Sequence, residues 1–206
     1  RVRMIRVKPG SNLPGGPARL FAGAGALACL LASGAASAQI TNFSADVHTA
    51  IDRGLDYAAS QDWFTDGCPP SVHGDGTGLI TLALLEKRAD ANQNALSVGY
   101  ADANPVDQAR ADAGIAYIVN RVAASGAGDF EAYQDGADLM ALAVYYRTGG
   151  PDQAGSLSAI HKIVDRILPN QGMHGYWCYT DGSCMDSSTT QLVMAGLAAA
   201  RGVFLD

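Results

Sequence analysis

The chain has 206 residues, 17% of them charged, with a formal net charge of −6, and this length allows one domain or at most a small pair. Five of the 14 Lys and Arg residues lie in the first 38 residues, which contain no acid, so residues 39–206 have nine Lys and Arg against 20 Asp and Glu, a net charge of −11. This charge repels phosphate backbones and excludes nucleic acid as an expected partner, and the many aliphatic residues exclude a disordered chain.

Residues 1–38 have the layout of a secretory signal peptide. Basic residues precede an apolar run at 20–31, and Ala-Ser-Ala at 36–38 closes it with the small residues of a cleavage site. One alternative is a membrane anchor, but it needs about 20 predominantly apolar residues, and this run is shorter. Another is a lipoprotein signal ending at Cys29. The layout favours cleavage after Ala38, hence a periplasmic or secreted protein without a transmembrane anchor.

Three rounds of one two-part pattern follow. Each round has an amphipathic stretch with apolar residues three or four positions apart, a loop with glycine and aromatic residues, and a nearly apolar stretch. The first kind of stretch is typical of a surface helix and the second of a buried helix. The amphipathic helices are predicted at residues 45–60, around 115–122 and at 157–168, and the apolar helices at 77–85, 137–146 and 190–200. Because no strand-like alternation is present, an all-α fold is predicted.

The spacing of these stretches indicates an internal repeat. Asp75-Gly76 recurs 60 residues later as Asp135-Gly136, and Leu139 recurs 53 residues later as Leu192. Repetition at this scale predicts an array of helical hairpins. We expect about three hairpins within a single domain at 39–206, and they span approximately residues 45–88, 106–147 and 155–203.

The last hairpin carries a resemblance to a known family. Its loop at 171–182 contains Gln-Gly, Trp177, Tyr179 and Asp-Gly, and it leads through Asp-Ser-Ser-Thr-Thr-Gln at 186–191 into Gly-Leu-Ala-Ala-Ala-Arg. These residues resemble the prenyltransferase and squalene-cyclase repeats of the α/α-toroid superfamily. The resemblance implies inner and outer layers of helices, here an arc (partial α/α toroid), with a cavity at the N-terminal ends of the inner helices. It also implies that Gln171 and Trp177, in a structural loop with Tyr179, tie adjacent helices together.

The same resemblance directs attention to the first residues of the inner helices. Cyclases of this type carry an acidic D-x-D-D-T motif there, and its central aspartic acid protonates an alkene, which requires a neutral, strongly acidic carboxylic acid. In this chain Ser188 stands at the position of the central acid, and a serine cannot protonate an alkene. The remaining candidates for catalysis are Asp75, Asp135 and Asp186, although aspartates at this place most often cap a helix. The predicted ligand groove consists of Asp75, Asp135, Asp186, Ser188, Thr189 and Thr190.

The cysteines fit an exported protein. Cys178 and Cys184 are predicted to form a disulfide across a small loop, as secreted chains often do. This pairing leaves Cys68 without a partner in residues 39–206. We expect Cys68 to be a buried or mispaired thiol.

A zinc site is the alternative interpretation of Cys68. Protein prenyltransferases bind zinc through an Asp-x-Cys pair and a distant histidine, and Asp66-Gly67-Cys68 matches the pair in letters. The resemblance, however, puts the third ligand at about Thr189, which cannot replace histidine. His73 or His174 would have to supply the third or fourth ligand that zinc needs. We therefore expect no metal and no cofactor.

Aromatic residues in the loops admit two interpretations. They suit carbohydrate stacking or an apolar ligand, but the resemblance favours a structural role for them. The residues concerned are Trp63, Tyr176, Trp177 and Tyr179.

These features predict an exported repeat protein that has lost the catalytic acids of the enzymes it resembles and acts as a binding or interaction module. Three hairpins do not close a toroid of this kind, so further C-terminal repeats or a protein partner are expected to complete it and cover its apolar faces. The first alternative is the N-terminal part of an isoprenoid or terpene-type cyclase or transferase. The second is a toroidal polysaccharide-active enzyme, for which Tyr133 and His73 are the nearest candidates.

Overall fold

The computed structural model describes residues 42–69, 73–91 and 95–205. The predicted signal peptide at 1–38, including Cys29, lies outside these residues. The described residues all belong to one compact unit of the chain. Among them, no helix is long and apolar enough to span a membrane.

Six α-helices and no β-strand occur in the described residues, and this confirms the predicted all-α class. The helices are α1 (Asn42–Ser60), α2 (Thr77–Glu86), α3 (Pro105–Ala124), α4 (Ala132–Arg147), α5 (Gln153–Ile167), which a 3-10 turn (Leu168–Asn170) follows, and α6 (Ser187–Leu205). Each predicted helix is present. The structure extends α3, α4 and α6 into polar flanks where the apolar pattern alone gives no signal.

Local chemistry explains where two of these helices begin. The Asn104 side chain accepts hydrogen bonds from the backbone N–H groups of Val106 and Asp107, both at 3.0 Å, and Pro105 occupies the first helical position of α3. Proline suits this position because its missing N–H would have no helical partner there. In α5, the Asp152 carboxylate accepts from the N–H of Gly155 at 2.9 Å. Both are the side-chain caps that helix N-termini require.

Helix α4 is the centre of the arrangement. It packs against α2 and α6, and α3 and α5 lie beside each other and contact α2 and α4 respectively. Leu139 and Leu142 of α4 have no exposed surface, as its apolar composition predicted. Helix α2 was predicted to be similarly enclosed, but only part of it is. It buries Leu84 and Leu85, whereas Leu79 is 46% exposed.

Glycines allow α4 and α6 to approach closely. A Cβ atom added at Gly196 would lie 2.6 Å from the carbonyl oxygen of Gly136, and one added at Gly136 would lie 2.6 Å from the carbonyl oxygen of Leu192. These neighbours are backbone atoms, so no side chain can rotate away. The contact fixes the N-terminal part of α4 against the middle of α6.

Gly196→Ala is therefore expected to lower the free energy of unfolding by about 1–3 kcal/mol, because the added methyl group must push the two helices apart. Gly54→Ala in α1 is the matched control, since no atom beyond the neighbouring backbone of its own helix lies within 4 Å of the added Cβ. That change should stabilise the protein by about 0.4–1 kcal/mol through the lower entropy of the unfolded chain. Urea denaturation measures both, and a loss of stability equal in the two variants would refute the close-contact explanation.

Candidate functional site

A chain of hydrogen bonds connects the N-terminal ends of α4 and α6. Tyr133, in the first turn of α4, lies with its Oη 2.5 Å from Oγ of Ser188, in the first turn of α6. Ser188 Oγ donates to Asp186 Oδ1 at 2.6 Å, so the hydrogen between Tyr133 and Ser188 comes from the tyrosine. Tyr179 Oη donates to the other carboxylate oxygen, Oδ2, at 3.4 Å. Two helices and the loop before α6 thus meet at one carboxylate.

Three aromatic rings, those of His73, Tyr133 and Tyr179, adjoin these hydrogen bonds, and we call them the ring cluster. His73 stacks on Tyr179 with ring centroids 4.4 Å apart and 27° between the planes. Tyr133 is inclined to both, at 5.7 Å and 51° from Tyr179 and at 5.9 Å and 56° from His73. The His73 residue is exposed and the two tyrosines are half-buried. The ring cluster is therefore accessible from solvent.

Asp186 caps α6, as predicted. Its Oδ1 accepts the backbone N–H groups of Ser188 and Thr189, both at 2.9 Å. The Ser188 hydroxyl, followed by these N–H groups, lowers the pKa of Asp186 to about 2. Because hydrogen bonds to the ionised form stabilise it, Asp186 is a carboxylate at neutral pH. It can accept hydrogen bonds but cannot act as an acid.

Glu131 is a second carboxyl group beside the ring cluster, and no sequence pattern indicated its role. It is the residue before α4, two positions from Tyr133. Burial raises its pKa, the charge of Asp135 raises it further, and His73 opposes the shift. Within the described part of the chain, its buried Oε2 atom has no hydrogen-bond partner.

Asp135, a predicted groove and catalytic candidate, lies inside the protein. Arg166 of α5 binds it with two N–H groups, Nε at 2.8 Å from Oδ2 and Nη2 on Oδ1, and neither residue exposes more than 2% of its surface. Arg166 also donates to Ser125 Oγ at 2.6 Å. Burial raises the pKa of Asp135 although Arg166 opposes the shift. The capping prediction is wrong for this residue, because α4 begins at Ala132 and Asp135 lies within its first turn.

Asp75, the third candidate, is also bound within the protein. Its Oδ1 accepts from the N–H of Thr77, the first residue of α2, at 2.7 Å, although Gly76 and not Asp75 occupies the N-cap position. Its Oδ2 accepts from Tyr117 Oη at 3.0 Å, and Arg121 Nη1 lies 3.0 Å from Oδ1. Only 8% of Asp75 is exposed. The structure thus brings Asp186 and Ser188 to the ring cluster but gives Asp75 and Asp135 ion pairs of their own.

The sequence also missed Asp138, which the apolar pattern of α4 concealed. It has no exposed surface, and Arg121 Nη2 lies 2.5 Å from its Oδ2. Burial raises the pKa of Asp138 to about 7, against the attraction of Arg121. Arg121, a residue of α3, therefore connects α2 with α4, because it pairs with Asp75 just before α2 and with Asp138 within α4.

Trp177 ties α5 to α6, in agreement with the expected role. Its indole Nε1 donates to the carbonyl oxygen of Ile167 at 3.0 Å. Its backbone N–H donates to Thr190 Oγ1 at 3.1 Å, and its carbonyl oxygen accepts from Thr189 Oγ1 at 2.7 Å. Thr189 and Thr190 are buried, so these two predicted groove residues serve the loop. Gln171 was expected to tie helices but donates within the loop, to the carbonyl oxygen of Gly175 at 3.0 Å.

Further bonds fix the loop on α4. The backbone N–H of Ala132 donates to the carbonyl oxygen of Tyr179 at 2.8 Å, which holds the Tyr179 ring beside Tyr133. The predicted disulfide between Cys178 and Cys184 is present, with 5.1 Å between their Cα atoms. Tyr179 of the ring cluster thus lies in a loop that the disulfide closes covalently.

Cys68 is a free thiol in the structure. Burial raises the pKa of this thiol, and the charge of Asp75 raises it further. No three His, Cys, Asp or Glu side chains of the described residues are grouped so that they could hold a metal ion. The expectation that the protein uses neither metal nor cofactor stays a prediction.

No protein-family model matches the chain, and no curated protein or solved structure matches it. The chemistry of the site itself is therefore the basis for a functional proposal.

Proposed function

We propose that the chain is an exported hairpin-repeat protein, similar to prenyltransferase and squalene-cyclase repeats, that binds a ligand without transforming it. Its ligand site is the ring cluster together with Asp186 and Ser188. The observation that carries the proposal is the meeting of three solvent-accessible rings and a hydrogen-bonded carboxylate at the ends of α4 and α6. Ligand sites typically combine aromatic surface with a small number of polar groups that point towards the same place.

The order of the helices supports the repeat interpretation. Helices α2, α4 and α6 follow one another in contact, and α3 and α5 lie alongside them, as in an arc of hairpins. The disulfide between Cys178 and Cys184 supports an oxidising compartment. Leu79 of α2 and Met194 of α6 are exposed apolar residues, which supports completion of the arc by a protein partner or by further repeats.

The ionisation of the carboxyl groups favours binding over the chemistry of a terpene cyclase. Protonation of an alkene needs a strongly acidic group in its neutral form, open to the substrate. Asp186 is open but ionised above a pH of about 2. Asp135 is enclosed with Arg166. Asp75, the third candidate, is 8% exposed and paired with Arg121. None of the three meets both conditions, so the first alternative, part of a terpene-type cyclase or transferase, has the weaker support.

A binding panel tests the proposal. We expect at least one of four probes (cellohexaose, hexagalacturonate, spermidine or farnesol) to shift the NMR resonances of the ring cluster and to be recovered unchanged. Tyr133→Ala should weaken binding about tenfold, whereas Tyr176→Ala, which removes an exposed ring in the same loop as Tyr179, should leave it unchanged. Binding unaffected by Tyr133→Ala would place the ligand elsewhere and refute the proposed site.

One observation favours the second alternative, a polysaccharide-active enzyme. Tyr133 and His73, its nearest candidates in the sequence, lie in one cluster with Tyr179. Glu131 and Asp186 beside them have pKa shifts of opposite sign, and such pairs divide the roles of acid and base in many hydrolases. Release of new reducing ends from cellohexaose, lost in Glu131→Gln, would establish this function in place of simple binding.

A further inference from the structure

We infer that the ligand of this site is a neutral carbohydrate chain, with sugar rings against Tyr133 and His73 and sugar hydroxyls on Asp186 and Ser188. The inference rests on the proposed function, because it takes the ring cluster as the ligand site. It adds the chemical class of the ligand.

The geometry of the rings leaves aromatic surface available. Tyr133 is inclined by more than 50° to its two neighbours, so it cannot cover their faces as a stacked ring would. Only His73 and Tyr179 are stacked on each other. A sugar ring presents a face of polarised C–H groups, and these are attracted to the negative face of an aromatic ring.

The polar groups beside the rings match the hydroxyls of a sugar. Asp186 Oδ1 accepts from the backbone N–H groups of Ser188 and Thr189 and from the Ser188 hydroxyl, whereas Oδ2 accepts, among the described residues, only the long bond from Tyr179. A carboxylate oxygen has two lone pairs, so Oδ2 has room for a donor. Sugar hydroxyls both donate and accept, and they can also bond to the hydroxyls of Tyr133 and Ser188.

Charge argues against an acidic ligand. Glu131 and Asp186 lie in or beside the site, and residues 39–206 carry a net charge of −11. Arg166 is occupied by Asp135 in the interior. A uronate chain would meet a negative surface, which disfavours its association.

A cationic or an apolar ligand fits less well. A polyamine is attracted by the same negative charges, but its flexible methylene chain presents no sugar-like face to the rings of the cluster. A polyprenyl chain would cover Asp186 and the hydroxyls of Tyr133 and Ser188 with hydrocarbon, and it would leave their remaining hydrogen-bonding capacity without partners. That desolvation is unfavourable. A neutral sugar can place its C–H groups against the rings and can form hydrogen bonds with the polar groups.

NMR titration of the full exported chain tests the inference. The probes are cellohexaose, chitohexaose and maltohexaose, compared with hexagalacturonate, spermidine and farnesol. We expect at least one neutral hexasaccharide to bind at the ring cluster and the other three probes to bind at least about tenfold more weakly. Tyr133→Ala should weaken the neutral sugar about tenfold, and Tyr133→Phe, which keeps the ring, should weaken it less.

Asp186→Asn provides a variant that is expected to fold, because asparagine caps helices as well as aspartate does. It should weaken the sugar at least about threefold, since a charged acceptor becomes a neutral one. Binding of uronate, spermidine or farnesol at the ring cluster in place of neutral sugars would overturn the inference but leave the proposed function standing. Binding of none of the six probes at the cluster would contradict both. Binding with cleavage of the sugar would support the inference and contradict only the non-catalytic part of the proposal.

Discussion

Arg166→Ala is expected to lower the free energy of unfolding by about 3–5 kcal/mol, because it leaves the buried charge of Asp135 without its partner. Arg166 donates two N–H groups to that carboxylate and a third to Ser125. The alanine variant loses all three bonds and opens a cavity between α4 and α5. Urea denaturation followed by circular dichroism measures the change.

Two further variants separate the ion pair from general effects of substitution. Arg201→Ala removes an exposed arginine on α6 and should change stability by no more than about 0.5 kcal/mol. The double variant Asp135→Leu with Arg166→Met should recover most of the loss, because apolar residues of similar volume often replace a buried ion pair without cost. A single Arg166→Ala variant as stable as Arg201→Ala would contradict the role of the Arg166–Asp135 pair in holding α4 to α5.

Trp177→Ala is expected to cost about 3–5 kcal/mol, which is typical for loss of a buried aromatic side chain. The indole is 4% exposed and lies between the end of α5 and the start of α6. Trp177→Phe keeps most of the packing but removes the bond from Nε1 to Ile167, so it should cost about 1 kcal/mol for that bond in addition to the change in shape. Thermal and urea unfolding of the two variants give the comparison.

The neighbouring Tyr176 serves as the control for Trp177. Its side chain is 40% exposed, and Tyr176→Ala should cost less than about 1 kcal/mol. If Trp177→Ala were no more destabilising than Tyr176→Ala, the loop would not hold α5 to α6, and the structural role that the sequence predicted for Trp177 would be wrong.

The helices of this fold could be predicted from the sequence because their signals are local. Apolar spacing marks α1, α3 and α5, and apolar composition marks α2, α4 and α6. The same signals fail at helix starts. The polar residues before Ala137 belong to α4, and the shift of this start is what puts Asp135 inside the first turn rather than before the helix.

The candidate site was less predictable, because it depends on contacts between distant parts of the chain. His73, Tyr133 and Tyr179 come from the loop before α2, from α4 and from the loop before α6. Each residue is noticeable in the sequence, but no local pattern indicates that the rings touch.

Buried charges were the least predictable feature. Asp138 lies within an apolar run, and Arg166 lies within the apolar stripe of α5. An interpretation from apolar composition and spacing alone therefore does not indicate a buried charge at either position. Only the partners, Arg121 for Asp138 and Asp135 for Arg166, explain why these charges are tolerated in the interior.

The location of the carboxyl groups now divides the predicted groove into two parts. Asp75, Asp135, Thr189 and Thr190 hold helices and loops in place, whereas Asp186 and Ser188 meet the accessible rings. A ligand at the ends of the inner helices would therefore contact one carboxylate that is firmly ionised. This favours recognition through hydrogen bonds and ring stacking.

Nuclear Overhauser effects between aromatic ring protons test most directly whether the ring cluster exists. With ring centroids 4.4 Å apart for His73 and Tyr179 and 5.7 Å apart for Tyr133 and Tyr179, cross-peaks are expected for both pairs in the folded protein. Addition of a neutral hexasaccharide should then shift these same protons first. A folded protein in which neither pair gives a cross-peak would contradict the ligand site at the ends of α4 and α6.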